Sequence, residues 1–406
     1  MSYGLIGLGS MGSNLALNIS KKQKLHIYNR SYEKVSYTIK KSNFSQNLIG
    51  HKDIEKMVAK MEQPRTIITL LPHGKATFDV IDDLVNHLEP DDTIIDSANE
   101  HHKAGKFLEK LCNIEDVNFL GVGMSGGSDG ALNGPGIMVG GQKEVFEQHE
   151  EFLNTFCGNV VHINNDPSSG HYTKMVHNGI EYAMLQGISD MFSYLNQDKE
   201  IMKQFINECF YTEVNGFLIE NTMKVLHEYN LDEIADVASM NNTGLWCSQV
   251  AMENVIPLPL ISNGVNGRLY SQYKNIQANQ KKNFYIDIES AVKTLKLIYA
   301  YSILEGLSLL DIKNIVTKKA QYSWSKGTII QCEMIQFSRE QLNNIIEQNI
   351  KDARRVYMQC IHYEISVPVL SNAIDFYDFT HEKKTSISLL MAQRHKFGDH
   401  QYTKLV

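Results

Sequence analysis

The chain has 406 residues, of which 43% are hydrophobic and 21% are charged, and its formal net charge is −7. This length predicts two or three domains, and the composition is typical of a soluble globular protein with a large core. The negative net charge argues against an electrostatic nucleic-acid surface, so we expect no nucleic-acid partner.

Neither the cysteines nor the apolar segments indicate a metal site or a membrane protein. The six cysteines are far apart, with no CxxC pair and no metal-ligand spacing, which favours reduced thiols in the cytoplasm. They are Cys112, Cys157, Cys209, Cys247, Cys332 and Cys360. The most apolar run, residues 291–310, contains charged side chains and indicates a core helix, not a membrane span. The first predicted strand begins within a few residues of Met1, which leaves no room for a signal peptide.

A glycine-rich turn opens the chain. Residues 3–6 predict a short buried strand, and the turn Gly7-Leu8-Gly9-Ser10-Met11-Gly12 follows, leading into a helical pattern. A GxGxxG turn between a strand and a helix lets a pyrophosphate approach the helix N-terminus. The motif alone is a weak signal, but here a second strand at residues 25–28 completes the expected context. We therefore predict a dinucleotide-binding domain.

The residues after the second strand, Asn29-Arg30-Ser31, indicate which dinucleotide binds. An NAD-binding domain usually carries Asp or Glu there, for the ribose hydroxyls, whereas an arginine offers paired hydrogen bonds to a 2′-phosphate. We therefore predict NADP in preference to NAD. The alternative is an exposed loop arginine without a ligand.

Alternating strands and helices continue to about residue 163. We predict further strands at residues 66–71, 93–96, 119–122 and 160–163, and a helix over residues 76–88. This alternation predicts a mostly parallel sheet, which binds ligands outside the carboxyl ends of its strands. Residues 96–100 and 124–130 lie at such ends. Ser125 and the glycines after it could present a hydroxyl and bare amides to an anion, although a plain glycine-rich turn explains them equally well.

Helical periodicity dominates from about Pro167 to about Leu390, with predicted breaks at residues 241–244 and at Asn263-Gly264. The first helix of this region carries a polar stripe. On a helix, residues three, four and seven apart share one face. The stripe consists of Lys174, His177, Asn178 and Glu181, with Tyr182 beside it. An amine and a carboxylate with an imidazole and an amide between them suit proton transfer; the alternative is a solvated helix face with one Lys–Glu pair.

These patterns predict an α/β Rossmann-type N-terminal domain followed by a large all-α domain and a short C-terminal tail. We place the dinucleotide-binding domain at residues 1–166, the all-α substrate and dimerisation domain at 167–390, and the tail at 391–406. The tail loses apolar periodicity, and a frayed, solvated terminus is the alternative interpretation.

The motifs together resemble a known family. Its most specific stretch is Lys174-Met175-Val176-His177-Asn178-Gly179-Ile180-Glu181-Tyr182. Beside the glycine turn and residues 29–31, the other stretches are Ile94-Ile95-Asp96 with Asn99, Gly123-Met124-Ser125-Gly126-Gly127 with Gly134-Pro135, Thr243-Gly244 with Trp246, Arg268, Phe376-Tyr377-Asp378, and Ala392-Gln393-Arg394 with Phe397-Gly398 and His400. Over nearly its full length, the chain resembles the decarboxylating 6-phosphogluconate dehydrogenases.

The resemblance implies an NADP-dependent enzyme of the pentose phosphate pathway and gluconate utilization, which converts 6-phosphogluconate to ribulose 5-phosphate and carbon dioxide. Lys174 would be the base that takes the proton of the C3 hydroxyl while a hydride leaves for NADP. Because free lysine has a pKa of about 10.4, the amine needs desolvation or a cationic neighbour to act near neutral pH. Glu181 would be the acid that protonates C1 of the enol that remains after carbon dioxide has left.

The resemblance also implies the binding residues. Those for the sugar acid would be Asn99, Ser125, Gly126, Gly127, His177 and Asn178. Those for its phosphate would be Tyr182, Thr243, Arg268, Arg394 and His400. Those for NADP would be Gly7, Leu8, Gly9, Ser10, Met11, Gly12, Asn29, Arg30, Ser31, Leu71, Pro72, His73 and Asn99. In the family the tail reaches into the partner subunit, so we expect a homodimer in which each tail completes the partner's site.

Several positions depart from the family pattern. The run Asp-Gly-Gly-Asn-Ser is replaced by residues 96–100, Asp-Ser-Ala-Asn-Glu, a phosphate-binding lysine is replaced by Asn241, and the lysine of the cofactor loop is absent near residues 72–74. A charge-assisted hydrogen bond contributes about 1.5–3 kcal/mol, so losing the phosphate-binding lysine predicts roughly ten- to a hundredfold weaker phosphate binding and not loss of function. Glu100 is the greater concern, because a carboxylate beside an anionic substrate is unfavourable unless it points away.

Two other functions are compatible with the sequence. Glu100 and Asn241 are compatible with a related dehydrogenase that acts on a different aldonic or β-hydroxy acid. A catalytically impaired paralogue that only binds nucleotide is the second alternative, against which the intact pair of Lys174 and Glu181 argues.

Overall fold

The computed structural model describes residues 1–273 and 282–404, and its first part is built on one eight-stranded sheet. The strands are β1 (Ser2–Ile6), β2 (Leu25–Tyr28), β3 (Leu48–His51), β4 (Arg65–Thr69), β5 (Thr93–Asp96), β6 (Asn118–Met124), β7 (Gly136–Gly140) and β8 (Asn159–Asn164). Their order across the sheet is β3-β2-β1-β4-β5-β6-β7-β8, and only the β6–β7 pair is antiparallel. The mostly parallel Rossmann-type sheet predicted from the sequence is confirmed.

Helices cover both faces of the sheet. They are α1 (Ser10–Ile19), α2 (Tyr32–Lys41), α3 (Ile54–Val58), α4 (Lys75–Val85), α5 (Gly105–Asn113), α6 (Gly127–Asn133) and α7 (Lys143–Asn154). Alternate residues of the buried strands enter two separate cores: Leu5 and Ile68 pack with α1 and α7, whereas Ile67 and Ile94 pack with α3, α4 and α5. A parallel sheet that is buried on both faces leaves its strand ends as the accessible edge for ligands.

The second part of the chain is helical, as predicted. Its helices are α8 (Ser169–Tyr194), α9 (Lys199–Cys209), α10 (Phe217–Glu228), α11 (Asn242–Glu253), α12 (Pro259–Tyr270), α13 (Ile288–Ile312), α14 (Thr317–Trp324), α15 (Arg339–His362), α16 (Pro368–His381) and α17 (Ile387–Gly398). The apolar run at residues 291–310 lies in α13, whose buried side chains form the centre of the helical core. Within the described part of the chain, no helix is long and apolar enough to cross a membrane.

Helix α8 joins the sheet to the helical core, because it packs on β6 and β7 and also on α11, α12 and α13. Glycines in β6 permit this close approach. A Cβ on Gly123 would lie 2.3 Å from Cβ of Lys174, and one on Gly121 would lie 2.1 Å from the carbonyl oxygen of Pro167. A buried contact of 3.3 Å between Asp96 Oδ2 and His171 Nε2 ties the end of β5 to the same helix, one turn before Lys174. The sheet therefore sets the position of the polar stripe.

The structure corrects three sequence-based expectations. Strands β3 and β7 were not predicted: β3 is a short edge strand in which only Leu48 is buried, and β7 is bounded by two glycines that pack on neighbouring backbone. The break expected at Asn263-Gly264 is wrong, because both residues lie inside α12. The tail is helical as far as Gly398, although no residue of α17 is buried. The domain limits at 166 and 390 stay predictions; residues 274–281 and 405–406, which those domains include, lie outside the described residues.

Candidate active site

The amine of Lys174 is held inside the protein. Lys174 is 5% exposed, and its Nζ donates to Asn178 Oδ1 at 2.7 Å and lies 3.3 Å from His177 Nδ1. Burial disfavours the charged ammonium and lowers the pKa of Lys174 to about 8, against the opposing attraction of Glu181. His177 is fully buried as well. A solvated helix face, the alternative interpretation of this stripe, does not fit the structure.

His177 connects the stripe to the loop after β6. Its Nε2 lies 2.9 Å from Ser125 Oγ, and its Nδ1 lies 3.0 Å from Asn178 Oδ1. Burial and the neighbouring Lys174 charge hold the pKa of His177 well below its usual value, so the ring is neutral near pH 7. A neutral imidazole between the amine and a serine hydroxyl orients both without adding charge.

Glu181 lies at the more open end of the stripe, with 20% of its side chain exposed. Its Oε2 is 3.8 Å from His177 Nδ1. Burial raises the pKa of Glu181, while the charges of Lys174 and Arg268 act in the opposite direction. The stripe thus combines a basic group that loses its proton readily with an acidic group that keeps its proton longer than usual, which is the pairing required for general acid–base chemistry.

A cationic and hydroxyl-bearing cluster adjoins the stripe. The guanidinium carbon of Arg268 lies 3.6 Å from the ring centroid of Tyr182, and Asn178 Nδ2 donates to Thr243 Oγ1 at 2.7 Å. The Tyr182 hydroxyl donates to Asn241 Oδ1 at 3.0 Å. Asn241 is therefore both the N-cap of α11 and a partner of Tyr182.

Two glycines make room for Tyr182. A Cβ on Gly244 in α11 would lie 2.5 Å from the Tyr182 ring, and one on Gly264 in α12 would lie 2.7 Å from the Tyr182 backbone. These separations are too short for any side chain, so glycine lets both helices close around α8. Gly264 thus serves helix packing, which explains why it does not end α12.

The loops after β5 and β6 meet beside the stripe. Asn99 has a left-handed backbone with φ of 52°, and its Oδ1 accepts a hydrogen bond from the Met124 amide at 3.4 Å. Gly126 and Gly127 also have positive φ, at 103° and 61°, as they turn the chain into α6. The predicted sugar-acid residues therefore lie together: Asn99, Ser125, Gly126, Gly127, His177 and Asn178.

The Glu100 carboxylate is bonded to two backbone amides. Glu100 is 3% exposed; its Oε2 accepts from the Gly74 amide at 2.6 Å and its Oε1 from the His101 amide at 2.9 Å. The carboxylate is thus taken up by backbone donors. These donors offset its charge, which reduces the expected conflict with an anionic substrate.

The glycine turn forms a cradle at the N-terminus of α1. A Cβ on Gly7 would lie 2.3 Å from the Leu70 carbonyl oxygen, and one on Gly12 would lie 1.9 Å from the Gly7 carbonyl oxygen, whereas a Cβ on Gly9 would meet open space. The Asn29 side chain accepts from the Leu8 amide at 2.9 Å. This leaves room above Gly9, where the first-turn amides of α1 can receive an anion.

The remaining predicted cofactor residues lie at the same edge of the sheet. Arg30 follows β2 and is exposed, and residues 71–73 follow β4, with Pro72 and His73 exposed. Ser10 and Met11 begin α1, where Ser10 Oγ lies 2.9 Å from Ser128 Oγ in α6. All of these positions follow the carboxyl ends of β1, β2 and β4, which are neighbouring strands of the sheet.

Comparison with known families covers both parts of the chain. Residues 2–164 match the model of the NAD binding domain of 6-phosphogluconate dehydrogenase, and residues 170–406 match the model of the 6-phosphogluconate dehydrogenase C-terminal domain. The chain belongs to the 6-phosphogluconate dehydrogenase family.

Curated members and a solved structure of the family resemble the whole chain. The NADP-dependent decarboxylating 6-phosphogluconate dehydrogenase of Bacillus subtilis (strain 168) is 31% identical over 99% of this chain and 96% of the relative. The NAD-dependent decarboxylating enzyme of the same strain is 30% identical over 99% of this chain and 97% of the relative. A structure of Plasmodium falciparum 6-phosphogluconate dehydrogenase, described in apo form and with NADP and 6-phosphogluconate, matches with a TM-score of 0.89 and 27% identity, covering 100% of this chain and 98% of that chain.

Two predicted phosphate residues of this family member are not at the site within one chain. Arg394 is exposed in α17, and His400 follows that helix. The His400 carbonyl accepts from His395 Nδ1 at 3.1 Å, and the His400 ring packs on Phe397. Among the described residues, neither Arg394 nor His400 has a hydrogen bond to the stripe.

Sequence reasoning missed a third loop at the site. The Ile329 amide donates to Ser125 Oγ at 3.4 Å, and a Cβ on Gly126 would lie 2.8 Å from the Gly327 carbonyl oxygen. Residues 327–329 follow α14, two hundred positions after the serine they contact. Only the Gly-Thr-Ile composition after Trp324 could have marked this loop as a turn, and nothing local indicated its partner.

Proposed function

We propose that this protein is an NADP-dependent, decarboxylating 6-phosphogluconate dehydrogenase that forms ribulose 5-phosphate and carbon dioxide. The observation that carries the proposal is the buried Lys174 amine, whose pKa is lowered to about 8, on the same helix face as Glu181 and next to the Arg268 cluster. Base, acid and phosphate-binding candidates thus lie close together around one face of α8. Membership of the family supports the same reaction.

The residues of the first domain fit NADP. The space above Gly9, the close contacts that require glycine at Gly7 and Gly12, and the start of α1 would receive the pyrophosphate. Arg30 would pair with the 2′-phosphate, and residues 71–73 with Asn99 would border the nicotinamide end. When bound, NADP supplies the hydride acceptor for the oxidation at C3.

Lys174 begins the chemistry. In its neutral form the amine takes the proton of the C3 hydroxyl, and the resulting ammonium then donates to the new carbonyl oxygen. Because the carbonyl accepts the electron pair of the breaking C1–C2 bond, carbon dioxide leaves and an enol remains. Ser125, His177 and Asn178 would hold the carboxylate and hydroxyls during these steps.

Glu181 completes the reaction by donating its proton to the enol carbon, which gives the ketopentose. The raised pKa of Glu181 keeps a larger share of this carboxyl protonated near neutral pH. Tyr182, Thr243 and Arg268 would hold the phosphate through the cycle. Asn241 lacks the charge of the family's lysine, so Arg268 would provide the main positive charge from this part of the chain.

A homodimer would add Arg394 and His400 from the partner subunit to the phosphate end of the site. The exposed apolar side chains of the C-terminal segment support this assembly: Leu389 is 64% exposed, Phe397 is 76% exposed and Tyr402 is 48% exposed. Such side chains are commonly covered in a complex. A cytoplasmic location agrees with six cysteines that are all free thiols.

Steady-state assays test the proposal. We expect NADPH fluorescence and carbon dioxide release from 6-phosphogluconate with NADP, with a far lower kcat/KM for NAD and for unphosphorylated gluconate. Equal or better turnover of gluconate would contradict the phosphate site and favour a dehydrogenase of another aldonic acid. Absence of NADPH with every sugar acid would favour the impaired paralogue.

A further inference from the structure

The loop of residues 71–74, which follows β4, is tied to the next loop by one side chain. Glu100 Oε2 accepts from the Gly74 amide at 2.6 Å, and Glu100 Oε1 accepts from the amide of His101 at 2.9 Å. Glu100 is 3% exposed. It therefore bridges the loops at the carboxyl ends of two neighbouring parallel strands, β4 and β5.

The position of the donor amide matters because Gly74 is the N-cap of α4. Gly74 has φ of 84°, and its own carbonyl begins the hydrogen bonding of the helix. The amides at a helix N-terminus lack partners in the helix and carry partial positive charge, so a carboxylate there is favourable. Glu100 supplies that carboxylate from outside the helix, which fixes the direction in which the loop leaves β4.

Aromatic contacts hold the same two loops to the helical domain. The His73 ring lies 5.3 Å from the Trp246 ring and the His101 ring lies 4.8 Å from it, both edge-on. Trp246 belongs to α11, three residues after Thr243. The bridge made by Glu100 thus aligns His73 and His101 on one indole.

We propose that Glu100 is a positioning residue that presets the residue 71–74 loop for NADP before the cofactor arrives. This inference rests on the proposed function, which assigns that loop to the cofactor. The side chain of Asn99, the neighbour of Glu100, contacts the loop after β6 through the Met124 amide, whereas that of Glu100 contacts the loop after β4. Glu100 acts on the NADP side through backbone, and it does not touch the substrate.

The test compares Glu100→Ser, Glu100→Gln and the full-length wild type, with Asp79→Ser as the matched control. Asp79 is an exposed carboxylate of α4 whose side-chain partner is Lys75. Amide hydrogen exchange of residues 71–78 is measured without ligand, and the Kd values of NADP and of 6-phosphogluconate are measured by equilibrium binding. Exchange in α13 reports whether the variants remain folded.

We expect faster exchange of residues 71–78 and about tenfold weaker NADP binding in Glu100→Ser, the effect of losing a charge-assisted hydrogen bond. The Kd of 6-phosphogluconate should change by less than about twofold, which corresponds to a free energy smaller than RT. Glu100→Gln should recover part of the loss, because its amide oxygen still accepts one bond. Asp79→Ser should match wild type.

Unchanged exchange and NADP affinity in Glu100→Ser would overturn the proposal. Equal weakening of both ligands, together with faster exchange in α13, would show a merely structural role. If Glu100→Ser does not fold, Glu100→Gln decides by the same two readouts. Wild-type protein that fails to oxidise 6-phosphogluconate would refute the proposed function. The exchange measurement, which is made without ligand, would still show whether Glu100 orders residues 71–78.

Discussion

The amine of Lys174 lies 2.7 Å from the side-chain oxygen of Asn178, one turn further along α8. The nitrogen of the same amide donates a hydrogen bond to Thr243 Oγ1 in α11 at 2.7 Å. Asn178 therefore cannot turn its oxygen away from the amine without losing the second bond. This arrangement aims Lys174 without neutralising it, since an amide, unlike a carboxylate, carries no charge that would raise the pKa of the lysine.

The pKa of Lys174 sets a pH dependence. A base with a pKa of about 8 is neutral in roughly one-tenth of molecules at pH 7, against fewer than one in a thousand for free lysine. Because the neutral form is the reactive one, log kcat/KM should fall as pH decreases below about 8 and level off above it until another group titrates. A profile measured from pH 6 to 9 checks this, and a flat profile down to pH 6 contradicts the role of Lys174.

The variant Lys174→Arg tests the same base without a change of pH. Arginine keeps a positive charge but is not a usable base, so kcat should fall by about 10²–10⁴ while NADP still binds.

Glu181→Gln tests the acid. The amide cannot donate a proton to carbon, so formation of ribulose 5-phosphate should slow by about 10²-fold or more, whereas substrate binding should change little. Product analysis after a single turnover separates the steps. Release of ketopentose phosphate at the wild-type rate would show that another group protonates the enol carbon.

Much of this arrangement could be predicted from local sequence. The GxGxxG turn and the helical spacing of Lys174, His177, Asn178 and Glu181 depend on short-range geometry, which a sequence shows directly. The fold class predicted from such patterns is confirmed. Glu100 could not be interpreted in this way. Its carboxylate sits at a strand end next to a predicted substrate residue, and only the structure shows that the amide of Gly74, 26 residues earlier in the chain, donates a hydrogen bond to it.

Gly264 and Ser125 show a second limit. In sequence, Asn-Gly is a strong turn signal. In α12, however, the glycine is required because the backbone of Tyr182, on a different helix, leaves no room for a Cβ. The Ser125 hydroxyl similarly meets residues 327–329, far along the chain. Contacts between distant segments override local propensity, and periodicity carries no information about them.

Arg30→Ala tests how the cofactor is distinguished. The arginine is exposed at the end of β2 and would meet only the 2′-phosphate, so the variant should raise the KM for NADP by about ten- to a hundredfold. The KM for NAD should stay within about threefold, because that cofactor has no 2′-phosphate. The ratio of the two KM values is the measurement. An unchanged ratio would mean that other residues bind the 2′-phosphate. The NADP-dependent and NAD-dependent relatives could then be compared to find those residues.

Arg268→Ala tests the phosphate end of the site. Arg268 stacks on Tyr182 at 3.6 Å and donates to the Gly264 carbonyl at 2.9 Å. We expect the KM for 6-phosphogluconate to rise by at least about tenfold, since a charge-assisted bond is lost and Asn241 has no charge to replace it. Turnover of gluconate at saturating concentration should be unaffected. A parallel loss on both substrates would indicate that Arg268 supports the Tyr182 ring and does not bind phosphate.

Gly264→Ala tests whether close helix packing sets the site. The new methyl would lie 2.7 Å from the carbonyl carbon and oxygen of Tyr182, and backbone cannot rotate away as a side chain can. Overpacking of this kind costs about 1–3 kcal/mol, so the melting temperature should fall and the KM for 6-phosphogluconate should rise as Tyr182 and Arg268 shift. Gly267→Ala, one turn along α12, is the matched control, because its methyl would meet the flexible end of Gln186. That variant should keep both the melting temperature and the KM near wild-type values. If Gly264→Ala is as stable and active as Gly267→Ala, α12 can move away from α8 at no cost, and the glycine contact does not position the phosphate residues.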